Sequence, residues 1–186
     1  MAATAHLVTA LHQKRKAGIG MRAALPAFAG AALAPGLFGL VNLGAEALGV
    51  MPLYFAPFGL PGWLGAAAHL AQLALLGAAY GVLVPLAARR ARIWLAVLTL
   101  IYVALPFLTA PLDSLQLSLF CTAVLLVGLA TLRRAGEASS LAGWLLTPML
   151  AIVGFSAAMG LVLTAAYTPP FALIQGQNPV TSPPGA

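Results

Sequence analysis

The chain has 186 residues, of which 62% are hydrophobic and only 6% charged, with a net charge of +6 and a mean hydropathy of +1.00. A soluble domain of this length needs a charged, hydrated surface that this composition cannot supply. The positive balance does not mark a nucleic-acid binder either, because each basic cluster sits beside an apolar run, where topology signals belong.

In a bilayer only helices and closed barrels satisfy their own backbone hydrogen bonds. Barrel strands alternate polar and apolar residues in short segments. Here the apolar runs are continuous and reach helix-spanning length, about 20 residues or somewhat more. The expected fold is therefore all-α, a polytopic membrane protein built as a five-transmembrane-helix bundle. Residues 1–22 read as a polar, weakly amphipathic cytoplasmic segment carrying Lys14, Arg15, Lys16 and Arg22. No cleavage site precedes the core of the first long apolar run, so no signal peptide is expected.

Residues 23–167 form the expected transmembrane domain. Span 1 covers 23–50, with Pro26 and Pro35 predicting a kink. Asn42 and Glu46 lie near its far end, four residues apart. Residues 51–62, rich in Pro, Gly and aromatics and free of charge, read as an ordered interfacial loop. Span 2 covers 63–88 and is followed by Arg89, Arg90 and Arg92. Span 3 covers 93–110, and Pro111-Leu112-Asp113-Ser114 is a tight turn. Span 4 covers 115–132. Residues 133–140 form a polar connection in which Ser139 or Ser140 can cap span 5, covering 141–167. The tail, 168–186, has five prolines and no charge, and is expected to be extended or disordered.

All nine Lys and Arg residues fall in the N-terminal segment, the 2–3 connection and the 4–5 connection. The 1–2 loop, the 3–4 turn and the tail carry none. The charge-bias rule then places the N-terminus in the cytoplasm and the C-terminus outside, which requires an odd number of spans. The Ala-, Gly-, Leu- and Arg-rich composition suggests a bacterial cell membrane. Cys121 stands alone and can form no internal disulfide.

Polar groups within hydrocarbon are expensive and need a reason. His69, Gln72, Leu76 and Tyr80 follow offsets of three, seven and eleven and share one face of span 2. That face either lines a pocket or locks helix packing. A lone intramembrane His is also a conceivable haem-type axial ligand, but no second ligand can be placed. Glu46 is either hydrated at the interface or turned inward toward His69 or a ligand. Asp113 and Glu137 are expected in solvated turns. Trp63, Trp94 and Trp144 each begin a span, the position of an aromatic belt. The Gly77–Gly81 GxxxG, with Gly154/Ala158 and Ser156/Gly160, allows close helix contact. This contact lies either within the chain or at a homodimer face. HExxH, CxxC, GxSxG, P-loop and dinucleotide-binding fingerprints are missing, so no enzyme is expected.

Two stretches resemble the TspO/MBR family of tryptophan-rich sensory and translocator proteins. Phe55-Ala56-Pro57 followed by Pro61-Gly62-Trp63-Leu64-Gly65 is similar to that family's FAPPGWVFG, with a short insertion. Leu75-Leu76-Gly77-Ala78-Ala79-Tyr80 is similar to its LMGxAAY. Residues 142–157, from Ala142 through Pro148-Met149 to Ala157, resemble its fifth-span motif AxLLLPYLxWxxFA. The departures fall on the family's ligand residues. A family Trp is His69 here, a Tyr is Met149, a second Trp is Ile152, and an Asn is Gly160.

The resemblance implies a five-helix bundle that binds a hydrophobic or tetrapyrrole-like ligand beneath loop 1, usually as a homodimer, in a sensory or regulatory role. No cofactor is required. The expected ligand-binding residues are Trp63, His69, Gln72, Tyr80, Pro148, Met149, Ile152 and Phe155, with Asn42 and Glu46 as polar contacts and no metal. The partners expected are the lipid bilayer and a hydrophobic small molecule or tetrapyrrole. The alternative is a non-catalytic packing or assembly subunit of a larger membrane complex that has lost the ligand site. A tetrapyrrole-degrading enzyme is the least favoured reading, since that activity is tied to pocket Trp residues replaced here.

Overall fold

The computed structural model describes residues 2–54 and 61–167, with side chains from residue 24 to residue 166 except within 55–60. The Phe55-Ala56-Pro57 motif and the tail from Thr168 onward lie outside the described residues. Five helices make up the fold: α1 (Ala2–Ala47), α2 (Gly62–Leu83), α3 (Arg89–Leu108), α4 (Ser114–Ala138) and α5 (Ser140–Tyr167). Among the described residues all five contain segments long and apolar enough to cross a membrane, Ala24–Ala47 being the one in α1. No strand occurs among them.

The helix ends differ from the expected bounds for local chemical reasons. The N-terminal segment is helical and continuous with span 1, since α1 runs unbroken from Ala2 through Pro26 and Pro35. It stops in a Schellman arrangement, where Val50 N–H donates to Ala45 O (2.9 Å) and Gly49 N–H to Glu46 O (3.0 Å). Gly49 takes the left-handed position at φ 73, which a residue without Cβ adopts freely. Span 2 is shorter than expected and ends at Leu83, just ahead of Pro85. The polar connection 133–140 is mostly helix, because α4 continues to Ala138. Arg and Glu are good helix formers, and Arg133 pairs with Glu137 at 3.3 Å on the exposed face. Glu137 therefore lies in a helix rather than a turn. Ser139 alone separates α4 from α5, its Oγ accepting from Ala142 N–H at 3.4 Å.

Asp113 is more than a solvated turn residue. Its Oδ1 accepts from Gln116 N–H (2.8 Å), and Gln116 Oε1 accepts from Asp113 N–H (3.2 Å). This reciprocal capping box starts α4. Pro148 leaves the Trp144 carbonyl without its usual helical donor, and the Thr147 hydroxyl supplies one at 2.7 Å. Other intrahelical hydroxyls bond back to the carbonyl four residues earlier, among them Thr99, Thr122, Thr131, Ser156 and Thr164. A hydroxyl satisfied by its own helix can sit in hydrocarbon at little cost.

α1 packs most extensively on α2, and α4 on α5; α2 is the hub, touching α1, α3 and α5. Small residues set these contacts. A Cβ at Gly30 would meet the Gly77 carbonyl, one at Gly77 the Gly30 carbonyl, and one at Gly81 the Pro26 carbonyl. The GxxxG face is thus occupied by α1 of the same chain. On the other side Gly160 lies against Ser118, whose Oγ donates to Ala157 O at 3.1 Å. Large apolar side chains such as Leu25, Phe28, Leu40 and Leu126 point outward, as a bilayer-facing surface requires.

Charge separates along the bundle. One end carries Arg89, Arg90, Arg92, Arg133, Arg134 and Glu137, five positive and one negative, or +4. The opposite end, where residues 48–61 join α1 to α2, carries Glu46 and Asp113, or −2. At the arginine end the Arg134 guanidinium stacks over Trp94 at 4.3 Å. Trp63 and Trp144 are 69% and 73% exposed at the starts of their helices, as belt residues are.

Candidate functional site

A cavity of about 460 Å³ lies in the half of the bundle nearest the connection between α1 and α2. Residues Leu53 and Tyr54 bound it from above. Leu64, Gly65, Ala68, His69 and Gln72 form its α2 wall, and Tyr102, Leu105 and Pro106 its α3 wall. Cys121 of α4 lies opposite. Ala151, Ile152, Val153, Phe155 and Ser156 of α5 complete it.

The connection is tied down by a backbone bond. Leu53 N–H donates to Pro106 O at 2.8 Å. Pro106 lies among the last four residues of α3, whose carbonyls have no donor from their own helix. The bond satisfies that carbonyl and holds Tyr54 over the cavity. Burial pushes the Tyr54 hydroxyl above its ordinary value, so the phenol stays neutral there.

His69 is the centre of an aromatic cluster drawn from three helices and the connection. Its ring stacks on Tyr102 at 4.7 Å with 21° between planes. Phe38 of α1 meets it edge-on at 5.1 Å, and Tyr54 lies at 6.0 Å. Phe107 extends the cluster behind Phe38 at 5.9 Å. The Tyr102 hydroxyl donates to Gln72 Oε1, which makes a closed polar pair between α3 and α2. His69 is only 6% exposed, and its Nε2 is buried without a hydrogen-bond partner. A buried polar atom left unpaired costs about 1–3 kcal/mol. The site therefore combines an apolar wall, a Gln72–Tyr102 hydrogen bond and, at His69 Nε2, a buried hydrogen-bonding atom without a partner. Among the described residues no group of three His, Cys, Asp or Glu stands ready to hold a metal.

No protein family, curated protein or solved structure matches this chain.

Of the residues singled out in the sequence, His69, Gln72, Ile152 and Phe155 line the cavity. The other four of that set lie elsewhere. Trp63 projects outward. Tyr80 shares the His69 face but sits eleven residues along the helix, about 16 Å away at 1.5 Å per residue. Met149, 1% exposed, is turned toward α4, where it lies beside Gly128. Pro148 is exposed. Asn42 is half-buried with Oδ1 unpartnered, and Glu46 is exposed; neither borders this cavity or reaches His69. Sequence reading missed Phe38, Tyr54, Tyr102 and Cys121. Tyr102 carried a usable signal, being a phenol in the middle of an apolar span, where a hydroxyl needs a partner. Phe38 joins the cluster only through the packing of α1 on α2, which no local pattern records.

Proposed function

We propose that this chain is an integral membrane protein that holds a hydrophobic small molecule in the cavity among α2, α3 and α5. The observation that carries the reading is a mostly apolar cavity of about 460 Å³ with a single unpartnered buried polar atom, His69 Nε2, in its wall. Ligand sites are concave and apolar, with a few placed polar groups that set orientation. The charge separation supports an orientation with the arginine end in the cytoplasm and the cavity in the opposite half of the bilayer.

A tetrapyrrole with ionised carboxylates fits this site poorly. Its lining residues include no Lys or Arg, and the undescribed residues 55–60 are uncharged by sequence. Each carboxylate would be buried without a cation, at a cost of several kcal/mol. The nearest described guanidinium groups stand at the far end of the helices.

Titration of the purified chain with retinol, followed by retinol emission, tests the reading. Saturable one-to-one binding is expected. Ile152→Trp, which fills the cavity, should weaken it at least tenfold, and His69→Ala should weaken it several-fold. Unchanged affinity in both variants would remove the site.

A further inference from the structure

The cavity has a mouth, and the identity of its exposed wall residues locates it. Of the sixteen lining residues seven are buried and four half-buried. Those that line the cavity and are also exposed are Leu53, Leu64 and Ala68, then Ala151 and Phe155. Ala68 belongs to an exposed stripe of α2 with Leu64, Ala67 and Ala71, and Ala151 to one of α5 with Trp144, Pro148 and Phe155, so both border the outer surface of the bundle as well as the cavity. Ala68 and Ala151 therefore stand at an opening. Leu64 and Ala68 are four apart on α2; Ala151 and Phe155 are four apart on α5; and α2 and α5 pack directly on each other. The opening is the seam between those two helices.

Its depth decides what can reach it. Ala68 lies six residues inside α2, about 9 Å from the helix start. Ala151 lies eleven residues from Ser140 and fifteen from Ala166, about 16 and 22 Å respectively. A hydrocarbon core of about 30 Å covers both. The opening faces lipid chains rather than water.

We propose that the cavity is loaded sideways from the bilayer through the α2–α5 seam, and that its occupant is a neutral, lipid-dissolved molecule bearing one small polar group. The proposal rests on the ligand-binding reading above. Lipid can deliver only what dissolves in it. The wall offers no cation to an anion and no carboxylate to a cation. The Gln72 carbonyl is taken by the Tyr102 hydroxyl, which leaves His69 Nε2, the Gln72 amide N–H groups and the Tyr54 hydroxyl as the wall's few polar contacts, suited to a small hydroxyl or carbonyl. The chemical class is a polycyclic or isoprenoid alcohol, or a quinone.

The test uses the full chain in phosphatidylcholine nanodiscs, with retinol and retinoic acid compared at pH 9, where the acid is ionised. The two probes share an apolar body and differ in head-group charge. Retinol should bind at least tenfold more tightly. Ala68→Trp and Ala151→Trp should slow retinol association, each at least tenfold. Ala68→Leu should do so more mildly. Leu100→Trp, on the exposed face of α3, should leave that rate unchanged. Equal affinity for retinoate overturns the neutral-ligand assignment. Unaltered association rates in the Ala68 and Ala151 variants, with retinol still bound, overturn the lateral route and leave the cavity reading standing. Absence of saturable retinol binding to the unaltered chain overturns both.

Discussion

Adding one methyl group to α2 should separate two effects that usually oppose each other. In a helix interior Gly→Ala gains up to about 1 kcal/mol from propensity alone. At Gly77 that methyl meets the Gly30 carbonyl, and the reciprocal clash holds at Gly30. Both obstacles are backbone, so no side chain can rotate away, and the overpacking cost falls near the upper end of the usual range, about 3 kcal/mol. The net expectation for Gly77→Ala is a loss of about 2 kcal/mol, or about 30-fold in the folded-to-unfolded ratio. Gly39, on the facing helix, has nothing within 4 Å of its would-be Cβ. Gly39→Ala should be neutral or stabilising by up to about 1 kcal/mol. The pair Gly30→Ala and Gly77→Ala should cost less together than the sum of the two, since α1 and α2 need part only once. Reversible unfolding in mixed detergent micelles reads all four chains. If Gly77→Ala matches Gly39→Ala in sign, close α1–α2 contact through these glycines is not what holds the helices together.

The Gln72–Tyr102 pair should behave as a unit. Gln72→Leu leaves a buried phenol unsatisfied and should cost about 1–3 kcal/mol, whereas Gln72→Leu with Tyr102→Phe should come close to neutral, so the cycle gives a coupling of similar size. Asp113→Ala removes the side-chain half of the α4 capping box and should lower stability by about 1 kcal/mol in the same unfolding assay, with no change in retinol affinity. Reporter fusions at Met51 and at Arg90 should report opposite compartments, and the same compartment for both would overturn the five-span layout.

The candidate site was legible in proportion to how much of it lies on one helix. His69 and Gln72 are three residues apart on α2, so helical periodicity alone put them on one face. The same periodicity extended the expected set to Tyr80, which does not line the cavity, because a shared face says nothing about depth along the axis. On α5, Ile152 and Phe155 were expected from the resemblance to a family's fifth-span motif rather than from periodicity, and both line the cavity. Met149, one turn earlier, points to α4 instead, a distinction that depends on where α4 lies. Tyr54 entered the site through a backbone bond from Leu53 to Pro106, a contact between segments more than fifty residues apart that no local pattern records.

Read by itself, the chain determined its solvent, its helix count and the separation of arginine from the opposite end. Each follows from local sums of hydropathy and charge along about 20 residues, and hydrocarbon enforces those sums segment by segment. Tertiary structure alone decided the rest. It set which glycines are consumed between α1 and α2, which residues enclose the cavity, and where the wall opens. Those are matters of rotation and depth between helices, and in a membrane such choices depend on close packing of small surfaces, because lipid chains reward no apolar face over another.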